Sequence, residues 1–157
     1  MSRTEQHVAV ILNVFRAIEH RDRLPDPRRA LQLFQPDVEF LWPPSLPYGG
    51  TSRGLTPAGP TWRTTWDPLQ PTEAERRLDP RVVAAGETEV VVLWRQRGVS
   101  PSGIRIDTPV LGLYQLCEGK LARAQMFYFD TETVIDFLAK SSARRSGTGR
   151  VDDSRVT

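Results

Sequence analysis

Two arginines, Arg95 and Arg97, stand two residues apart in the stretch EVVVLWRQRGV. On a strand they share one face with Val91 and Leu93, while Val90, Val92 and Trp94 take the other. Paired guanidinium groups on a cavity wall, with no acid to neutralise them, would hold a carboxylate or an enolate by bidentate hydrogen bonds. If the strand leaves the sheet at that point, both are simply solvated. In LARAQMFYF, Arg123, Gln125 and Phe127 share a parity, so a polar band across an otherwise aromatic wall is expected. The acids placed to move a proton are Glu39, between Val38 and Phe40, and Asp107, in RIDT. Buried among aromatics, either would have a raised pKa and could act as a general acid or base; facing outward, it would be a solvated carboxylate. Asp107, Glu39 and Arg95 are therefore the catalytic candidates. Tyr48, in the glycine-rich PPSLPYGGTSRG, would donate to a ligand carbonyl or anchor its loop. Trp42, Trp62 and Trp66 would wall a flat polycyclic ligand or pack in the core. With Arg97, Gln125 and Phe127 they complete the substrate-binding set.

Several chemistries find no support. His7 and His20 lie on or near the first helix without ligand-spaced partners, so they read as surface residues and no metal is expected. Cys117, the single cysteine, leaves no internal disulfide and reads as an inert, semi-buried thiol. GGTSRG is not a phosphate-binding fingerprint, and no cofactor is implied. In 157 residues the formal net charge is only +2, no footprint for nucleic acid. No apolar run approaches a membrane span, and a cytoplasmic location is expected.

These residues need elements to carry them. Val8, Ile11, Leu12, Phe15 and Ile18 set the stripe of an amphipathic helix from Thr4 to His20, with Thr4 as N-cap. Asp26-Pro27 opens a second helix reaching Phe34, and Val38–Trp42 reads as a strand. The prolines and glycines of 43–60 predict a long loop, followed by a helical turn over Thr61–Trp66. Antiparallel strands are expected at Glu73–Ala84, Glu87–Arg97, Ile104–Cys117 and Leu121–Phe129, the last two joined by a hairpin at Glu118-Gly119-Lys120. Asp130 caps a final helix, and 141–157 is expected to be a disordered C-terminal tail beyond one domain at 1–140. The plan is α+β, with helices gathered on one face of a bent sheet.

That order resembles the nuclear transport factor two-like (cystatin-like cone) superfamily, and within it the SnoaL-like group. The resemblance lies in Pro36-Asp37-Val38-Glu39-Phe40 after a helix, Pro47-Tyr48-Gly49-Gly50-Thr51-Ser52-Arg53-Gly54 in the loop, and Phe127-Tyr128-Phe129-Asp130 before the last helix. Val110–Leu116 with Glu118-Gly119-Lys120 is similar to the hairpin of limonene-epoxide-hydrolase-like members. The resemblance implies a cone-shaped, mainly antiparallel sheet with N-terminal helices on its concave face. It implies a small cofactor-free cyclase, isomerase or dehydratase acting on an apolar carbonyl compound, or a non-catalytic binding or dimerisation module. A homodimer through the sheet's outer face is also implied, and parity assigns that face to Val90, Val92 and Trp94. The catalytic acids of the better-known members are missing. The base position of ketosteroid isomerase falls on Trp42, and its oxyanion tyrosine near Val14. The Arg-x-Asp of the epoxide hydrolases reads Arg95-Gln96-Arg97, and their second Asp falls on Phe127. Only Arg95 carries over.

Overall fold

A computed structural model describes residues 1–146 of the chain, apart from the side chains of 27, 56–60 and 143–146. Helix α1 runs Arg3–Glu19. Its N-cap is Ser2 rather than Thr4: the Ser2 hydroxyl accepts from Glu5 N at 3.2 Å while the Glu5 carboxylate takes Ser2 N at 2.7 Å, a reciprocal capping box. Helix α2 is one turn, Pro27–Leu31, and the side chain of Asp26 accepts from Arg28 N as expected of its cap. Strand β1 spans Phe34–Trp42, starting earlier than its apolar residues suggest because Phe34 pairs with Leu121.

Two stretches differ from expectation. The predicted loop at 43–60 contains strand β2, Gly50–Arg53, paired antiparallel with the end of β1, and the first half of helix α3, Leu55–Trp66. Between them Gly54 takes φ +88°, the left-handed reversal that lets a strand turn at once into a helix. The predicted strand at Glu73–Ala84 is instead helix α4, Glu73–Arg76, followed by strand β3, Arg81–Ala85. Thr72-x-x-Glu75 explains the helix, since the Glu75 carboxylate reaches back to Thr72 N at 3.0 Å. Strands β4 (Glu89–Val99), β5 (Arg105–Cys117) and β6 (Lys120–Tyr128) follow. The last helix, α5, occupies Thr131–Ser146 and is capped by Asp130, which accepts from Thr133 N at 3.0 Å. It thus continues past Ser141, where the tail was expected to begin; 147–157 lies outside the described residues.

The six strands form one sheet in the order β2-β1-β6-β5-β4-β3, antiparallel except where β1 runs parallel to β6. This is the expected α+β cone. Helix α1 lies on the concave face, where Ile11, Val14 and Phe15 pack on Val90, Val92, Trp94, Val110 and Tyr114. Phe15 meets the rings of Trp94 and Tyr114 edge-on, at centroid distances of 6.3 and 5.6 Å. A second cluster joins α3 and α5 beside the sheet: Trp66 stacks on Phe137 at 5.9 Å, with Leu46, Tyr48 and Val134 around them. Among the described residues no helix is long and apolar enough to cross a membrane.

Candidate functional site

Between α1, α2, α3 and the concave face lies a cavity of about 270 Å³. Its deep wall is made of buried side chains: Val14 and Phe15 from α1, Trp94 from β4, Tyr114 from β5, Leu121 and Met126 from β6. Its mouth is marked by exposed Leu31 and Arg63, with Arg21, Leu24 and Ala30 half-buried beside them. Trp42 and Trp62 form the flank. Their rings stack at 6.0 Å and 7°, so β1 and α3 present one continuous aromatic surface.

A chain of polar contacts fixes that flank from behind. Trp62 Nε1 donates to Gln96 Oε1 at 3.2 Å, the Tyr128 hydroxyl lies 3.5 Å from the same oxygen, and the Tyr48 and Tyr128 hydroxyls are 2.6 Å apart. Gln96 is fully buried, and its Nε2 has no partner among the described residues. Burial pushes the Tyr48 phenol up to about 12 and Tyr128 well above its ordinary value, so both are neutral donors at any physiological pH. Tyr48 therefore belongs to the second cluster and does not line the cavity. Trp66 sits there too.

Within the cavity the polar atoms are few. The Tyr114 hydroxyl donates to the sulfur of Met126, at 3.8 Å; burial raises its pKa, and a hydrogen bond from the Trp94 side chain offsets a little of that rise. The indole N–H of Trp94 is buried beside that hydroxyl, with no other acceptor among the described residues. Gly112 makes the Tyr114 pose possible: a Cβ there would collide with the Tyr114 hydroxyl, because the ring folds back along its own strand. Neither Tyr114 nor Trp94 was among the candidate site residues. The signal was present, a glycine two positions before a tyrosine on one face of an apolar strand, the place where a large ring can lie down. Arg21 is committed elsewhere. It reaches Asp67 at 2.7 Å, Gln70 Oε1 at 2.7 Å and Ile18 O at 2.9 Å.

The expected anion-holding wall lies on the opposite side of the sheet. Val90, Val92, Trp94 and Gln96 are the inner parity of β4, at 0, 0, 3 and 0% exposure. Arg95 and Arg97 therefore face outward, against expectation, and an acid does neutralise them. Arg95 Nε donates to Asp107 at 2.7 Å, Arg97 Nε to the other oxygen of Asp107 at 3.2 Å, and Arg97 also pairs with Asp79 at 2.8 Å. The strand register puts Arg97 directly opposite Asp107. Glu39 points outward from β1 as well, bound by Arg53 at 2.9 Å and Arg123 at 3.3 Å. The hydrogen bond from Arg53, and beyond it that from Arg123, hold its carboxyl below the usual carboxylate range despite partial desolvation. A proton-moving acid needs its pKa raised towards neutrality, and Glu39 is driven the other way. Gln125 and Phe127 are on this outer face too, Phe127 at 48% exposure. Of the expected set, only Trp42 and Trp62 meet at the cavity. Two minor expectations also change: His7 is buried, and Cys117 is exposed.

No protein-family model matches the sequence, and no curated protein matches it. Solved structures do. TerC, co-crystallised with polyporic acid, superposes with a TM-score of 0.69 at 21% identity, over 85% of this chain and 98% of that one. A nuclear transport factor 2-like protein of unknown function from Burkholderia pseudomallei K96243 gives 0.65 at 19%, over 88% and 98%. A putative SnoaL-like polyketide cyclase from Jannaschia sp. CCS1 gives 0.61 at 20%, over 90% and 96%. The chain therefore shares the nuclear transport factor 2-like, cystatin-like fold of these structures.

Proposed function

We propose that this nuclear transport factor 2-like cone binds an apolar, carbonyl-bearing small molecule in its concave cavity, flat against Trp42 and Trp62, and does so without a cofactor. The observation that carries this is the cavity itself. It approaches the roughly 300–1,000 Å³ of small-molecule pockets, and its lining is apolar and aromatic apart from two arginines near the mouth and a few inward N–H and O–H groups. The Tyr114 hydroxyl is an inward donor that meets only a thioether among the described residues, and the Trp94 indole N–H lies beside it. A ligand carbonyl would satisfy either. Binding without turnover is the reading favoured here, because no Asp, Glu or His of the described residues lines the cavity. Turnover of the cyclase, isomerase or dehydratase type is the second reading. It is favoured by the neutral Tyr114 donor, which would stabilise an enolate developing beside it, and by structural neighbours of which one is named a putative polyketide cyclase and one is co-crystallised with polyporic acid.

The test uses N-phenyl-1-naphthylamine, an uncharged bicyclic probe whose fluorescence rises in an apolar site. The wild-type protein binds it, and Ala17→Phe, which projects a ring into the cavity from α1, weakens binding at least tenfold. Equal binding by both would sink the reading. We also propose a homodimer, on different residues from those expected. Val90, Val92 and Trp94 are covered by α1, but Leu111 and Phe127 expose 37 and 48% of their surface on the outer face. Sedimentation of a monomer at micromolar concentration would rule the dimer out.

A further inference from the structure

The cavity carries two cations, and only one of them is spent. Arg21 is saturated by Asp67, Gln70 and the Ile18 carbonyl, so its charge is cancelled where it stands. Arg63 lies on α3 next to Trp62, is exposed at the mouth, and has no ion pair or hydrogen bond of its guanidinium among the described residues. Asp67, one turn further along and spaced to pair with it, is taken by Arg21. Asp107, Asp79 and Glu39 are bound by arginines of the outer face and the sheet edge.

An exposed arginine on a helix is ordinarily just solvated. This one differs by position. It stands at the edge of a nearly uncharged concavity, where a ligand's charged end would be flanked on one side by apolar wall and where the field of a single cation is poorly screened. The guanidinium is planar, keeps its charge at every working pH, and offers a fork of donors matched to a carboxylate or an enolate. No acidic side chain of the described lining opposes it.

From this geometry we infer that the cavity selects an apolar anion, with its ring system buried against Trp42 and Trp62 and its acidic group held at the mouth by Arg63. This rests on the pocket reading above and names the ligand class for that pocket. The outer arginines, Arg95 and Arg97, take no part. The site also gains an orientation: the acid faces out at Arg63, and any second oxygen points inward to the Tyr114 and Trp94 donors.

Two probes that share one ring system separate the possibilities. 1-Anilinonaphthalene-8-sulfonate carries the anion; N-phenyl-1-naphthylamine is its uncharged counterpart. Each is titrated against wild type, Arg63→Gln, Arg63→Lys and the cavity-blocked Ala17→Phe variant, which sets the background from other surfaces. The expected result has three parts: Arg63→Gln weakens the sulfonate at least fivefold, it leaves the neutral probe within twofold, and Arg63→Lys recovers part of the loss. If the sulfonate binds Arg63→Gln as it binds wild type, or if both probes weaken together, the anion assignment is wrong while the pocket stands. If Ala17→Phe changes neither probe, the pocket reading falls and this inference falls with it.

Discussion

The two faces of β4 are built from neighbouring residues and end in opposite environments. Val90, Val92 and Trp94 lie under α1 and Gln96 against Trp62 of α3, all with almost no exposed surface, while Val91, Leu93, Arg95 and Arg97 form part of the outer face. Both parities begin with β-branched or aliphatic residues, so hydrophobicity does not say which side is covered. The polar ends do. The inner end is a neutral amide, Gln96, then Gly98, where a Cβ would press to 3.1 Å on the Trp66 ring. The outer end is two cations set against Asp107 on the next strand. A buried unpaired arginine is far costlier than a buried amide with one bond made, so the face holding the cations becomes the outside wherever a partner acid lies in register there.

The comparison can be broken most sharply by truncation. Trp94→Ala removes an inner ring that touches Phe15 and Tyr128 and is expected to cost about 3–5 kcal/mol of stability. Arg95→Leu, one residue away, is expected to cost under about 1 kcal/mol, the range of solvent-exposed ion pairs, and to leave binding of both naphthyl probes unchanged. Chemical denaturation of the two variants side by side checks this. Equal losses, or weakened probe binding in Arg95→Leu, would put the cavity on the wrong face.

A smaller effect separates the faces by pH. Among the inner titratable groups are three tyrosines whose folded pKa lies above the unfolded value near 10, with Tyr48 at about 12. In that window the folded state holds more protons, so stability is complete below pH 10 and falls as pH rises towards 12, by about 3 kcal/mol from Tyr48 alone. Glu39 on the outer face has a lowered folded pKa, so its contribution is present above the ordinary glutamate range and is lost as pH falls through it. Its exposure to solvent makes that loss slight. Denaturant midpoints measured from pH 3 to 12 should fall more steeply at the alkaline end. Tyrosine absorbance that titrates normally near pH 10, with no loss of structure, would contradict the buried placement of all three tyrosines.

The fold was legible because its evidence is local and repeated. The apolar stripe of α1, the Glu118-Gly119-Lys120 hairpin, where Gly119 takes φ +74°, and the cap at Asp130 each follow from a short stretch of chain. The 43–60 stretch was misread because its prolines and glycines serve as hinges between short elements rather than as breaks in order. At Glu73–Ala84, the strand reading passed over the Thr72-x-x-Glu75 capping box that starts a helix there. The site was less legible. A strand's parity splits its residues into two sets without saying which is inside. Trp42 and Trp62 reach the cavity because they end β1 and sit on α3 where the two elements converge. Tyr114 went unnoticed because its significance depends on Gly112 beneath its ring.

The most direct test of where the ligand sits is a crystal structure of the protein with N-phenyl-1-naphthylamine bound. The account predicts density in the cavity of about 270 Å³, in contact with Trp42, Trp62 and Tyr114 beneath α1. Density on the outer face, against Arg95, Arg97 or Phe127, with the concave cavity empty, would contradict it.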